Sequence, residues 1–262
     1  MNTLEIGVAG IGVWSPQWPS WDVAQAALCG KVEAAAEAAS RPAPTLLPPA
    51  ERRRAPEAVL IAVEAAQQAC AMALREPRDL AHVFASAYGD LPVNDYLCAT
   101  LARAPGEISP TRFHNSVHNA AAGYWAIATG CMRSSTAVSA GDSTFGAALL
   151  ETALIARNEA VLLVVSDVAA VGPLQDVIAC RSSFAVAFVL APVTAHPSSR
   201  LRLRLCDGAA PLAQDAALLQ ANHQGNPAAA SLLLLAALAR RQATTLLANA
   251  GPQLTLEMEI SF

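Results

Sequence analysis

The sequence predicts an α/β fold built on a mixed sheet, and three of its features require one. Short aliphatic runs of β type alternate with alanine-rich stretches of helical spacing along the chain. One run, Val161 to Val165, is aliphatic at every position, as a strand buried on both faces must be. No window holds about 18 or more charge-free apolar residues with the bulk of a membrane span. The hydrophobic share, 54% of 262 residues, therefore goes into internal packing.

The elements follow in order. Glu5 to Ile11 reads as a buried strand ending in Gly10 and Gly12. Trp14, Trp18 and Trp21 follow in a proline-punctuated loop, and Trp21-Asp22 opens a short helix to about Leu28. The three tryptophans suit either a surface that a partner covers or an aromatic lid over the first strand. Ala34 to Pro49 is rich in alanine and proline and reads as an irregular connection. The clearest helix spans Pro56 to Leu74: Val59, Val63, Ala66 and Cys70 keep helical spacing, and Pro77 lies just beyond the end. The run Arg52 to Arg54 sits at the start of a predicted helix after Pro48-Pro49.

His82 to Ala87 is the next strand, followed by Gly89-Asp90 and a helix to about Leu101. Asn119 to Thr129 is a glycine-interrupted helix, Thr136 to Ala140 a strand, and Phe145 to Arg157 another helix. Phe184 to Leu190 and Leu201 to Cys206 read as strands and Ala228 to Arg241 as an apolar helix. Leu254 to Ile260 alternates as a half-exposed strand.

Composition excludes several function classes. A net charge of −4 and a pI near 5.7 argue against a nucleic-acid partner. The triple arginine fits a solvated face or a local contact for an acidic carrier protein or partner subunit. Glu5 and a short, glycine-broken apolar run give no signal peptide, so a cytoplasmic protein is expected. A mean hydropathy of +0.35 leads us to expect some apolar surface covered by a partner. The six cysteines, Cys29, Cys70, Cys98, Cys131, Cys180 and Cys206, show no C-x-x-C spacing and read as small buried hydrophobes. His114 and His118, four apart, would share a helix face as two metal ligands do, but no third ligand stands at a supporting spacing. A structural role is the reading we adopt for them, and neither a metal nor another cofactor is expected.

The stretch from Ser109 to Gly146, SPTRFHNSVHNAAAGYWAIATGCMRSSTAVSAGDSTFG, orders a short apolar helix, a helix-ending Gly130, a β run and a small-residue turn into a helix. It resembles the heart of a β-ketoacyl synthase of the thiolase superfamily. There an Asn-x-x-Ala-Gly helix, matched by Asn119, Ala122 and Gly123, precedes a strand that ends in the nucleophile elbow. The block Phe113-His114-Asn115-Ser116-Val117-His118-Asn119-Ala120 is similar to the short chain length factors found with aryl polyene and type II polyketide genes. Gly10 to Trp14, Leu47 to Arg54 and Leu149 to Glu151 also match, over roughly the first two hundred residues.

The resemblance implies a thiolase-like layered α/β fold, here one unit over 1–262. Its first half would be complete, to about residue 195, and its second half shortened, 196–262. By the family's spacing the nucleophilic Cys falls on Asp142, a carboxylate that cannot form an acyl thioester. The histidines of an elongating synthase are also absent: a faint echo at Gly225 to Ser231 has Asn226 where His would stand. Three routes back to catalysis were weighed. Ser143 offers an oxygen nucleophile without an ordered histidine, Cys131 precedes the elbow and reads as core, and Asp142 reads more simply as a helix cap.

The implied function is a catalytically silent subunit pairing with an active β-ketoacyl synthase, with an acyl carrier protein as a further partner. Phe113, His114, His118, Asn119, Tyr124, Trp125 and Phe145 are its candidate interface or channel residues. The rival readings are a divergent acyltransferase using Ser143 or a cysteine, and a carrier-binding or structural module.

Overall fold

The computed structural model describes residues 3–31, 41–193, 199–210, 223 and 225–262. Eight strands form one sheet: β1 (Leu4–Trp14), β2 (Ala81–Ala85), β3 (Ser135–Val138), β4 (Val161–Asp167), β5 (Phe184–Ala191), β6 (Arg200–Asp207), β7 (Thr244–Gly251) and β8 (Leu254–Ser261). Their order is β3-β2-β4-β5-β1-β6-β8-β7, with β2 parallel to β3 and β4 and every other pair antiparallel. The last three strands continue the sheet past β1, so the C-terminal segment shares one core with the rest.

Helices cover both faces. On one lie α3 (Glu57–Met72) and α6 (Ala120–Thr129); on the other lie α1 (Trp21–Leu28), α7 (Thr144–Ala156) and α8 (Leu232–Arg240). The short α2 (Pro49–Arg54), with α4 (Leu91–Arg103) and α5 (Pro110–His114), fills the connections.

The two faces are packed differently. Under α3 the sheet is made of small residues, Gly10, Gly12, Ala185 and Ala187, against Ala62, Ala65, Ala66 and Ala69 of the helix. A Cβ on Gly12 would strike the Ala65 carbonyl oxygen, and one on Gly10 the Ala69 carbonyl oxygen. The opposite face is bulky, with Phe184, Phe188 and Phe145 fully buried. A β-bulge lets β1 serve both faces: pairing slips between Val8 and Gly10, so Leu4, Ile6 and Val8 share a face with Ile11 and Val13.

Most expected elements form within a few residues of their predicted bounds, and three differences have clear causes. Arg52 to Arg54 form the last turn of the short α2 instead of standing at the start of a helix. Ala55 is extended (φ −62°, ψ 134°), as the residue before Pro56 must be, and α3 restarts at Glu57. Three arginines in a last turn also suit the negative end of the helix dipole. His114 closes α5 and His118 lies beyond it, so the two share no helix face. Strand β7 was not foreseen from its mixed Thr-Thr-Leu-Leu-Ala-Asn-Ala-Gly sequence; pairing with β8 forms it. Of the Ala34 to Pro49 connection, residues 34–40 lie outside the described ones.

All three tryptophans are buried, so they form a lid and not an exposed docking surface. Trp14 joins the α3 side, and Trp18 and Trp21 the other. Trp18 meets His223 edge-on at 5.1 Å between ring centroids, and Phe184 lies 4.6 Å from the same imidazole. His223 is 0% exposed and neither ring nitrogen has a hydrogen-bond partner among the described residues. Burial lowers its pKa from 6.5 to about 4.

Two predictions follow from this packing. Gly12→Ala should lower the thermal midpoint sharply, since backbone stands where the methyl would go; overpacking of this kind costs about 1–3 kcal/mol or more. Gly123→Ala, with nothing within 4 Å of its added methyl, should leave the isolated chain as stable or more so. Equal midpoints for the two variants would refute the close-approach account.

The second prediction concerns acid. The folded His223 ring stays neutral down to about pH 4, whereas in the unfolded chain it takes up a proton near 6.5. Stability from this residue is complete above 6.5 and falls as pH drops toward 4, by up to about 3 kcal/mol. Asp167, raised by burial to about 6, acts in the opposite sense and cancels between variants that both carry it. His223→Phe should therefore lose less stability than the wild type between pH 7.5 and 4.5; parallel melting-temperature profiles would contradict the neutral buried imidazole.

Candidate functional site

Because β2, β3 and β4 are parallel, their carboxyl ends share one edge of the sheet, where the loops meet. There Asp167 ends β4, Ser86 to Gly89 follow β2, and the turn Gly141–Ser143 follows β3. Asp167 is 1% exposed and organises the edge. Its carboxylate accepts from the Ser86 hydroxyl (2.6 Å), the Tyr88 amide (3.0 Å) and the Ala87 amide (3.2 Å). Burial raises its pKa to about 6 even though these three donors pull it down. Ser86 Oγ in turn accepts from the Gly89 amide (2.8 Å), and His118 Nε2 pairs with the Ser86 carbonyl (2.9 Å).

Asn226 ties the C-terminal segment to the same edge. Its Nδ2 donates to the Asp167 carbonyl (2.9 Å) and the Ser182 carbonyl (2.8 Å), while its Oδ1 accepts from the Ala228 amide (2.9 Å). Every polar valence of this side chain but one lone pair is thus engaged in holding backbone. Asn226 works here as a cap and a staple.

The turn after β3 has the form of an elbow. Gly141 takes φ +56°, a conformation that a side chain would strain, and the Ser143 amide closes the turn on the Ala140 carbonyl at 3.0 Å. Thr144, fully buried, pins both sides: its hydroxyl donates to the Gly141 carbonyl (2.6 Å) and accepts from the Ala140 amide (3.0 Å). Helix α7 leaves from this turn, seated so closely on β7 that a Cβ on Gly146 would strike the Asn249 carbonyl oxygen.

Asp142 stands exposed at the apex with Ser143 half-buried beside it. Neither makes a side-chain capping bond to the turn or to α7, so the expected capping role of Asp142 is not filled; Thr144 does that work. Its charge nevertheless bears on Tyr88, whose hydroxyl is raised by burial first and then by Asp142 and Asp167. No hydrogen bond joins a described histidine to Asp142 or Ser143. His82 is buried at the start of β2 and His223 lies in the core, while His196 falls outside the described residues. Cys131 is buried at the opposite end of β3, its thiol 3.3 Å from the Leu80 carbonyl and 3.7 Å from His82 Nδ1. Across the strand it cannot serve the elbow.

The aromatic candidates separate by burial. Trp125 and Phe145 are 0% exposed, each inside a core cluster of this chain, and present no surface to another subunit. Phe113 is 63% exposed at the end of α5, and Tyr124 is half-buried with its hydroxyl donating to Asn115 Oδ1 at 3.2 Å. Asn119 and His114 are exposed. On α6, Asn119, Gly123 and Ile127 form one exposed stripe, with Ile127 at 85% and the following Met132 at 94%. Beside them β3 is the end strand of the sheet, with its second edge open. This stripe was not legible from the helix pattern, because alanine on both sides leaves little contrast between faces.

Among the described residues no three His, Cys, Asp or Glu side chains converge to hold a metal, and no helix is long and apolar enough to cross a membrane. Solved structures share the fold. A ketosynthase in complex with its chain length factor from Xenorhabdus doucetiae aligns over 98% of this chain and 99% of its own, at 22% identity and a TM-score of 0.72. A type II polyketide acyl-carrier protein in complex with its hexaketide-bound ketosynthase aligns over 100% of both at 12% identity and 0.74. The 3-oxoacyl-[acyl-carrier-protein] synthase III of Aquifex aeolicus aligns over 98% and 100% at 13% identity and 0.53. No curated protein sequence matches the chain. The family model described as the N-terminal domain of β-ketoacyl synthase matches residues 18–252, well past the two hundred residues over which the resemblance was read. The chain belongs to the β-ketoacyl synthase N-terminal domain family.

Proposed function

We propose that this protein is a catalytically silent ketosynthase-like subunit, a chain length factor, that pairs with an active β-ketoacyl synthase and limits the length of its acyl product. The observation that carries this reading is an elbow whose frame is intact and whose apex is Asp142. Gly141, Thr144 and Gly146 hold the turn as a nucleophile would need it held, yet a carboxylate stands at the apex, and no imidazole among the described residues is bonded to it. Acyl transfer requires a thiolate or activated hydroxyl there, with donors for the oxyanion.

The surface favours a partner. The exposed side chains of Ile127 and Met132, with Asn119 and Gly123 on the same stripe and the edge strand β3 beside them, form an apolar patch that a partner would cover. Glycine inside an exposed helix costs about 1 kcal/mol relative to alanine, and close approach of another backbone is the physical reason to keep it. A stable interface of this kind buries on the order of 2,000 Å² or more. Phe113, exposed beside this region, is the side chain best placed to add bulk at the end of the partner's acyl channel. The product class implied by the sequence resemblance is an aryl polyene or polyketide chain, carried on an acyl carrier protein.

Three outcomes are expected. Co-expressed with the ketosynthase of its own gene neighbourhood, the chain should co-purify, and Ile127→Asp should abolish the complex while leaving the melting temperature of the isolated chain unchanged. Exposure to acyl carrier thioesters or a cerulenin-like electrophile should leave its intact mass unaltered; an adduct mapped to Ser143 would establish an enzyme instead. In the intact complex, Phe113→Ala should lengthen the products without loss of condensation. An unchanged product distribution would leave the subunit as a stabilising partner with no ruler function. Phe145→Ala tests only the core, where it should cost about 3–5 kcal/mol.

A further inference from the structure

Arginines converge on a concavity that none of the foregoing uses. It has a volume of about 420 Å³ and lies between the end of α2, the start of α3 and the entry to α5. Four guanidinium-bearing residues line it: Arg41, Arg53, Arg54 and Arg112. None of the four belongs to a salt bridge among the described residues, where the ion pairs are Arg133 with Glu159, Arg202 with Glu5 and Glu259, and Arg204 with Glu257. In a chain with a net charge of −4, four exposed arginines without an ion pair among the described residues make this hollow a local concentration of positive charge.

Two of the four are already held in place. Arg41 donates to the Ala55 carbonyl at 2.7 Å, and the Arg112 guanidinium lies 4.0 Å over the Tyr96 ring. Arg52, the remaining member of the triple, turns away to the Pro44 carbonyl. The hollow also faces the start of α3, a 16-residue helix whose first turn has no side-chain cap from its own N-cap, Pro56. The positive end of that helix adds to the field.

Two carboxylates share the lining, and both are occupied by the protein. Glu57 accepts from the Ser183 hydroxyl at 2.5 Å. Asp90 accepts from the Val93 amide at 2.8 Å and the Ala58 amide at 3.4 Å, spanning the starts of α4 and α3. Four guanidinium charges against two engaged carboxylates leave the hollow cationic. Its size exceeds what a bare inorganic anion fills and falls in the range of small-molecule sites. A much smaller pocket, about 30 Å³, adjoins it and shares Pro56, Asp90 and Asn115.

We propose that this concavity binds the phosphate or diphosphate group of a small organic ligand, with the guanidinium groups of Arg53, Arg54, Arg112 and Arg41 as its donors. Guanidinium forks match phosphate oxygens in pairs, which is why arginine and not lysine suits such a site. The site is independent of the proposed pairing with a ketosynthase, and its test does not need one.

The experiment uses inorganic pyrophosphate as the probe, titrated into the purified chain by calorimetry and by thermal shift, against sodium chloride at matched ionic strength. Saturable binding with a rise in melting temperature is expected for the wild type. Arg53→Gln/Arg54→Gln should bind at least about tenfold more weakly, as the loss of one charge-assisted contact already implies. Arg112→Gln should also weaken binding, while Arg202→Gln/Arg204→Gln, whose arginines are already paired, should bind as the wild type does. The proposal is overturned if chloride reproduces the effect, if the wild type shows no saturable binding, or if Arg53→Gln/Arg54→Gln retains full affinity with an unchanged circular dichroism spectrum.

Discussion

The close approach of α3 to β1 is the contact on which the rest of this structure depends. Gly10 and Gly12 remove two side chains from the middle strand of the sheet, and Ala65 and Ala69 remove bulk from the helix above it. The helix can then sit on the backbone itself. Gln68 anchors it there: its side-chain oxygen accepts from the amides of Val13 and Trp21, and its amide donates to the Pro19 carbonyl. From that seat the start of α3 reaches Asp90, which holds the beginnings of α3 and α4 together, and Glu57 reaches Ser183 beyond β4. The arginine-lined hollow and the loops at the carboxyl ends of the strands are therefore placed by a contact between residues with almost no side chain.

The other face reaches the same end by opposite means. Phe145, Phe184 and Phe188 fill it with bulk, and α7 packs on both β4 and β7 of the sheet, with Gly146 allowing it to sit against the β7 backbone. Helix α8 closes this layer against α1, with the Cys29 thiol and the Arg240 guanidinium donating to backbone carbonyls across the contact. Because α7 begins at the elbow, the rigidity of its packing is passed to the turn Gly141–Ser143. The hydrogen bonds of Asp167 and Asn226 do the same for the loops opposite it.

How much of this was legible in the sequence depended on contrast. Val161 to Val165 and the helix through Val59, Val63 and Cys70 differ sharply from their surroundings, and both formed as expected. The start of the long helix at Pro56 was legible from the proline itself, whereas the short α2 before it was not; the constraint that Pro56 places on Ala55 separates the two. Strand β7 carries polar and small residues that take β structure only because β8 supplies the partner edge. Trp18 could not be assigned to lid or docking surface without knowing that His223, some two hundred residues away in sequence, packs against it. In the site, the position of the elbow was readable from its small residues. The division of labour within it was not, since Thr144 looks like any first-turn threonine until both of its hydrogen bonds are seen.

The shape of the elbow does not depend on the residue at its apex. The groups that hold the elbow are Gly141, Thr144 and Gly146, together with Asn249 on the neighbouring strand, and none of them is a reacting group. Asp142 is exposed and makes no capping bond, so the fold places almost no demand on the residue at the apex. A substitution there changes reactivity at little cost to stability, whereas one at Gly141 or Gly146 would move the backbone itself. The face next to the elbow, with its open β3 edge and the α6 stripe, is built by the same strand and is preserved with it. The elbow and the surface beside it are thus maintained by packing, independently of the exposed side chain at the apex.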